Sequence, residues 1–158
     1  MAMSGSSVER VRAALLAAGH PDTIAEFPAG TRSAADAAAA VGCSVAQIAK
    51  SLVFRAGDRP VLVLASGAVR VDEARLSAVL GRPISRAEGR WVREVTGFAI
   101  GGVAPVGHLS PPLAVLDEGL FGLDPLWAAA GSPSHVFRTD AEALRRLTGG
   151  VVAAVALP

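Results

Sequence analysis

The chain has 158 residues, about half of them apolar, one cysteine and a formal net charge of +1. That length suits one domain with a real core. A lone cysteine excludes an internal disulfide framework and a cysteine-based zinc site, and the near-zero charge excludes a strong global field for nucleic acid. No apolar run is long enough for a transmembrane helix and no signal segment opens the chain, so a cytoplasmic protein is expected.

Residues 1–5 read as a loose end. Ser6 and Glu9 form a capping box with Ser6 as N-cap, and Val8, Val11, Leu15 and Leu16 repeat at helical spacing until Gly19. His20-Pro21 is a turn, and residues 23–27 alternate as a short strand. Pro28, Gly30 and Ser33 mark a loop. Residues 34–41 predict an alanine-rich helix stopped by Gly42, and Ser44 with Gln47 predicts one further capped turn. Residues 50–55 turn to strand, Gly57-Asp58 signals a hairpin, and residues 60–65 (PVLVLA) read as a buried strand. This pair is expected at the centre of a sheet.

Asp72 is the N-cap of a helix carrying Ala74, Leu76, Val79 and Leu80, closed by Gly81. A short strand over 83–85 precedes a helix over 88–95, with Trp91 and Val92 inward and Arg90 and Arg93 outward. Residues 98–100 are strand-like. Gly101 and Gly102 permit positive φ or close backbone approach, and Pro105 fixes the turn after them. A strand over 113–116 ends at Asp117-Glu118. An apolar segment over 126–130, a turn at Gly131-Ser132-Pro133 and a strand over 136–138 follow. Thr139 and Glu142 predict a third capping box, and residues 151–157 a last strand. Strands and helices mix without regular βαβ alternation, so the fold class is α+β: one domain, a mixed, mostly antiparallel and barrel-like sheet with flanking helices.

Lys50 is the only lysine beside fourteen arginines. A lysine that persists in such a background marks a position where a compact point charge is needed and a planar guanidinium will not serve. The bland reading is a strand-edge lysine whose stem covers apolar surface. Other chemistry is poorly supplied. His20, His108 and His135 have no metal-ligand spacing, and there is no nucleophile elbow or phosphate loop. Cys43 beside a helix start reads first as a small buried hydrophobe. Asp117-Glu118 could serve as acid and base, but reads first as a solvated turn.

Three features remain: the lysine in IAKSLVF, the stretch TGFAIGGVAPVG over 96–107, and Gly131-Ser132-Pro133. Together they resemble the YbaK/ProX family of aminoacyl-tRNA deacylases, also met as the editing domain inserted in bacterial prolyl-tRNA synthetases. The likeness runs over about 23–156. It implies a deacylase fold and hydrolysis of the ester joining a wrong amino acid to the 3′-terminal adenosine of tRNA. It implies no cofactor, metal or side-chain nucleophile; water or a substrate group attacks. Lys50, Gly101 and Gly102 become the catalytic candidates, with backbone N–H groups near the two glycines stabilising the oxyanion. Phe27, Ser51, Ile100, Pro105, His108, Leu116, Gly131, Ser132 and Pro133 become the substrate-binding candidates.

The expected partners are the 3′ end of aminoacyl-tRNA and prolyl-tRNA synthetase, with no membrane partner; oligomeric state is left open. The expected substrate is alanine or cysteine misattached to proline tRNA. Alanine is favoured, because Gly-Ser-Pro departs from the Gly-Gly-Lys-type loop of the cysteine-specific branch. A catalytically silent binding module and a regulator holding a nucleotide-like ligand are the alternatives.

Overall fold

The structure is a computed structural model and describes residues 3–27 and 33–158. In chain order the elements are α1 (Met3–Ala17), β1 (Ile24–Glu26), α2 (Ala34–Val41), β2 (Ile48–Ala56), β3 (Arg59–Ser66), α3 (Glu73–Leu80), β4 (Ser85–Arg86), α4 (Gly89–Thr96), β5 (Leu113–Asp117), β6 (Leu126–Ser132), β7 (His135–Thr139), α5 (Ala141–Thr148) and β8 (Val151–Ala153). The strands form one open sheet ordered β1-β7-β6-β2-β3-β5-β8, with β4 on β2. The hairpin pairs β2/β3 and β6/β7 are antiparallel, as are β1/β7 and β2/β4. The pairs β2/β6, β3/β5 and β5/β8 are parallel. The expected mixed sheet with flanking helices forms, but it is open and not barrel-like, because β1 and β8 end the strand order without pairing with each other.

β3 is central because its run Val61 to Ala65 has no polar side chain to place and is fully buried. Pro60, lacking a donor, stands near its start opposite Arg55. The faces of β2 divide by alternation. Ala49 and Val53 join the larger core with Leu62, Leu64, Phe98 and Phe137. Leu52 and Phe54 join a second core with Val61, Val63 and Leu76. Ser33, Asp72 and Asp140 cap α2, α3 and α5 through their side chains.

Several boundaries differ from expectation. α1 begins at Met3, so residues 3–5 are helical and Ser6 lies inside the helix; Met1 and Ala2 lie outside the described residues. The third cap is Asp140 and not Thr139, because Thr139 is the last residue of β7 paired with Leu126, while the Asp140 carboxylate accepts from Ala143 N at 2.8 Å. Residues 98–100 form no strand. Thr96 Oγ1 accepts from Phe98 N at 3.0 Å, and Gly97 takes φ 82° as the cap of α4, which turns the chain away from the sheet. β6 runs on through Gly131 and Ser132, leaving Pro133 and Ser134 as the turn. The last strand stops at Ala153, followed by an isolated bridge from Ala156 to Val71. The loop expected at Pro28 and Gly30 lies outside the described residues.

Candidate active site

The site is a gap in the sheet. β2 pairs with β6 only at Ile48 and Ala49, and with β4 only at Phe54 and Arg55. Between those contacts, residues 50–53 keep one open edge. Gly67 N donates to Ile48 O at 2.7 Å, so the backbone groups of Ile48 point toward β3. Alternation then turns those of Ser51 and Val53 into the gap.

Two cavities meet at this edge and share Lys50, Ser51, Gly101 and Val103. The smaller, 130 Å³, runs from α2 to β6 and β7 and includes Ser132, Pro133 and His135. The larger, 580 Å³, runs toward β4 and α4 and includes Arg70, Arg86, Ile100 and Leu157. The Lys50 ammonium donates to the Val69 carbonyl. Burial first, and the neighbouring charge of Arg70 second, hold its pKa below the ordinary lysine value. The Ser51 hydroxyl is buried and has no hydrogen-bond partner among the described residues. An unpaired buried hydroxyl is costly, and this one lies where the two cavities join.

Gly101 has φ 93°, a conformation open to glycine, and a β-carbon there would touch nothing within 4 Å. Gly102 is different. Its β-carbon would lie 2.7 Å from Ser132 Cα, and its N–H already donates to Ala99 O at 2.9 Å. The expectation that both glycines offer N–H groups to an oxyanion is therefore corrected. Gly102 is committed to a turn and to packing on β6, while no bond from Gly101 N appears among the described residues.

Ser132 owes its position to an irregularity in β6. The β6/β7 register shifts between Ala129 and Ser132, and Gly131 sits there with φ 100°. Such a bulge re-aims the following side chain. Ser132 Oγ accepts from Ser134 N at 3.1 Å and hydrogen-bonds His135 Nδ1 at 2.5 Å. The other ring nitrogen of His135 lies 3.5 Å from a Glu26 carboxylate oxygen. His135 has no metal-ligand spacing to mark it in the sequence. The available signal was a serine and a histidine three residues apart across a two-residue turn.

The remaining expected site residues lie elsewhere. Leu116 is fully buried in the larger core, where its Cδ1 fills the space beside Gly150, because β5 is an inner strand with both faces covered. Pro105 and His108 line a separate 320 Å³ cavity against α1 and α5. His108 Nε2 bonds the Ala104 carbonyl at 2.6 Å and its ring packs edge-on to Phe98. Burial, opposed by the Ala104 bond and reinforced by the charge of Arg10, holds its pKa below the ordinary histidine value. Gly131 packs under α1, where a β-carbon would lie 2.8 Å from Ser7 O. Phe27 lines neither cavity; its N–H donates to Ser134 O at 2.9 Å beside the small one.

Asp117 is buried and not solvated. Its carboxylate oxygens accept from Val155 N at 3.0 Å and Gly119 N at 3.1 Å, a structural role. Burial raises the pKa of Cys43, which lines neither cavity. Among the described residues no cluster of three or more His, Cys, Asp or Glu could hold a metal ion.

This lysine-centred gap, closed by a glycine loop, accompanies a family match. Residues 28–147 match the model of the aminoacyl-tRNA editing domain. The chain belongs to that family. Its reaction is deacylation, hydrolysis of an aminoacyl ester. It is 32% identical over 127 residues to the uncharacterised protein YwhH of Bacillus subtilis, covering 80% of this chain and 81% of that one. It is 33% identical over 93 residues to the proline–tRNA ligase of Lactobacillus acidophilus, covering 58% of this chain but only 16% of the ligase. Among solved structures, a candidate trans-editing enzyme for prolyl tRNA synthetase superposes with a TM-score of 0.91 at 45% identity, covering 96% of this chain and 98% of the other.

Proposed function

We propose that this protein acts in trans, in the cytoplasm where tRNA is charged, and hydrolyses the ester between a small amino acid and the 3′-terminal adenosine of proline tRNA. Alanine and cysteine are the proposed amino acids, and prolyl-tRNA synthetase is the proposed partner. The observation that carries this reading is the meeting of a 130 Å³ cavity and a 580 Å³ cavity at Lys50, Ser51 and Gly101. An aminoacyl ester has the same shape: a short side chain on one side of the carbonyl and a nucleoside on the other.

In this reading the side chain enters the compartment of Ser132, Pro133 and His135. The adenosine lies in the compartment of Arg70, Arg86 and Ile100. The ester sits at the junction. Gly101 N–H points to the carbonyl oxygen and stabilises the charge that develops there. The Lys50 ammonium serves the ribose and ester oxygens, and Ser51 Oγ gains a partner in the bound substrate. Water, oriented by the neighbouring ribose hydroxyl, attacks the carbonyl carbon and gives up a proton. The bond to the esterified ribose oxygen breaks and that oxygen takes a proton. Catalysis then rests on orientation and fixed charge.

The small compartment separates substrates by size. One methylene in an apolar pocket is worth about 1–3 kcal/mol, so alanyl and cysteinyl esters are both accepted while larger ones lose. Single-turnover deacylation of proline tRNA charged with Ala, Cys, Ser and Pro tests the reading. Rapid loss of the small esters with Pro retained is expected. Rapid loss of correctly charged proline, or inertness toward both small esters, refutes it.

A further inference from the structure

Arg10 stands on α1, outside the residues that match the family. Its Nε donates to Gly107 O at 2.6 Å and its Nη2 to Gly97 O at 2.8 Å. The guanidinium carbon lies 4.7 Å from the centre of the Phe98 ring. One planar fork thus ties both ends of the loop that carries Gly101. The loop is shaped around it. A β-carbon at Gly97 would lie 2.5 Å from Arg10 Nη2, and one at Gly107 would lie 3.4 Å from Arg10 O. Both glycines have positive φ, 82° and 79°.

The backbone ties of this loop are few. Gly102 N donates to Ala99 O at 2.9 Å, and the far end is closed by Leu109 N to Thr96 O at 3.1 Å and Ser110 N to Val95 O at 2.9 Å, which among the described residues leaves the stretch around Gly101 with the one internal backbone bond from Gly102. Among the described residues no carboxylate pairs with Arg10, so its donors are given to loop carbonyls. One turn earlier on the same helix face, Ser7 Oγ donates to Gly131 O at 2.8 Å, next to Ser132. α1 therefore grips two walls of the small compartment, the glycine loop and the end of β6.

We infer that Arg10 is a positioning residue for the reaction, holding the loop so that Gly101 meets the ester, with α1 as the brace behind the site. This rests on reading the Lys50–Gly101 junction as the reacting centre. A displacement of about 1 Å at such a junction can cost on the order of 100-fold in rate. Loosening the loop should lower kcat while leaving KM nearly unchanged, because the side-chain and nucleoside compartments persist.

The test uses the full chain with Arg10→Met, which keeps an apolar stem, Arg10→Lys, which keeps the charge without the fork, and Arg10→Ala. Thermal unfolding, amide hydrogen exchange and single-turnover deacylation are measured together. The expected result is a fall of roughly 10- to 100-fold in kcat for the Met and Lys variants. Faster exchange should be confined to residues 98–108, with β3 still protected. Added guanidinium at low concentration should restore part of the turnover of Arg10→Ala, and ammonium should not. Wild-type turnover in the Met and Lys variants overturns the inference. So does a loss matched by equal loosening of β3, which marks general destabilisation. If the wild type cleaves no ester, the proposed function fails. The exchange contrast between loop and β3 still decides whether Arg10 braces the loop.

Discussion

Replacing Gly102 by alanine separates two reasons for a glycine beside a reacting centre. The added methyl would stand 2.7, 2.9 and 3.0 Å from Ser132 Cα, C and N. These are backbone atoms of a paired strand and cannot swing aside as a side-chain tip would. Relief must come from separating the loop from β6. Overpacking of this kind costs about 1–3 kcal/mol. In a domain of 158 residues, each kcal/mol lowers Tm by about 2–4 °C, so a fall of roughly 2–12 °C is expected. The same displacement moves Ser132, so selectivity among Ala-, Cys- and Pro-charged tRNA should degrade with stability. Gly101→Ala is the control. Its β-carbon meets nothing within 4 Å, and its cost is the left-handed backbone alone, about 1–2 kcal/mol. That variant should lose turnover without losing selectivity. Calorimetry beside single-turnover assays reads both. A Gly102→Ala protein with unchanged Tm and abolished turnover would refute the packing role and restore substrate approach as the reason for that glycine.

Lys50→Ala should abolish deacylation with the fold intact, and Lys50→Arg should not rescue it, because the bulkier planar guanidinium places its charge away from the point the ammonium occupies beside the Val69 carbonyl; near wild-type turnover by the arginine variant would sink the requirement for lysine. Lys50 loses its proton at a lower pH than an ordinary lysine, so enzyme-dependent turnover, corrected for uncatalysed hydrolysis, should fall on the alkaline side below pH 10.5. Arg70→Gln removes a like charge and should move that limb upward; a downward shift or none contradicts the assigned cause. The sign for stability is opposite: between the depressed folded value and 10.5 the unfolded chain binds more protons, so Lys50 contributes rising stability as pH rises through that window. Ser132→Ala should change the ratio of cysteinyl to alanyl cleavage by about 2- to 12-fold, the value of one hydrogen bond, and His135→Ala should follow it through the lost Nδ1 contact; equal ratios in wild type and both variants would remove Ser132 from specificity.

Much of this protein was legible along the chain because its cues are local. Alternation and β-branched content mark β2 and β3, glycines in the left-handed region close α2 and α3, and Asp72 caps through its own neighbours. Lys50 and Gly101 stood out by residue type and motif, and the fold brings them to one junction. What the chain order could not show depends on distant contacts. That Gly102 packs on Ser132, that Leu116 is walled in by inner strands, and that His108 faces a different cavity are consequences of sheet order and loop path. His135 joined the site only when a bulge at Gly131 turned Ser132 toward it. Nothing along the chain singles out Arg10; its role comes from the meeting of its guanidinium with Gly97 and Gly107, far along the chain. Periodicity and capping are encoded within a few residues; which faces meet is decided by burial of the whole apolar surface, and it is that meeting which builds the site.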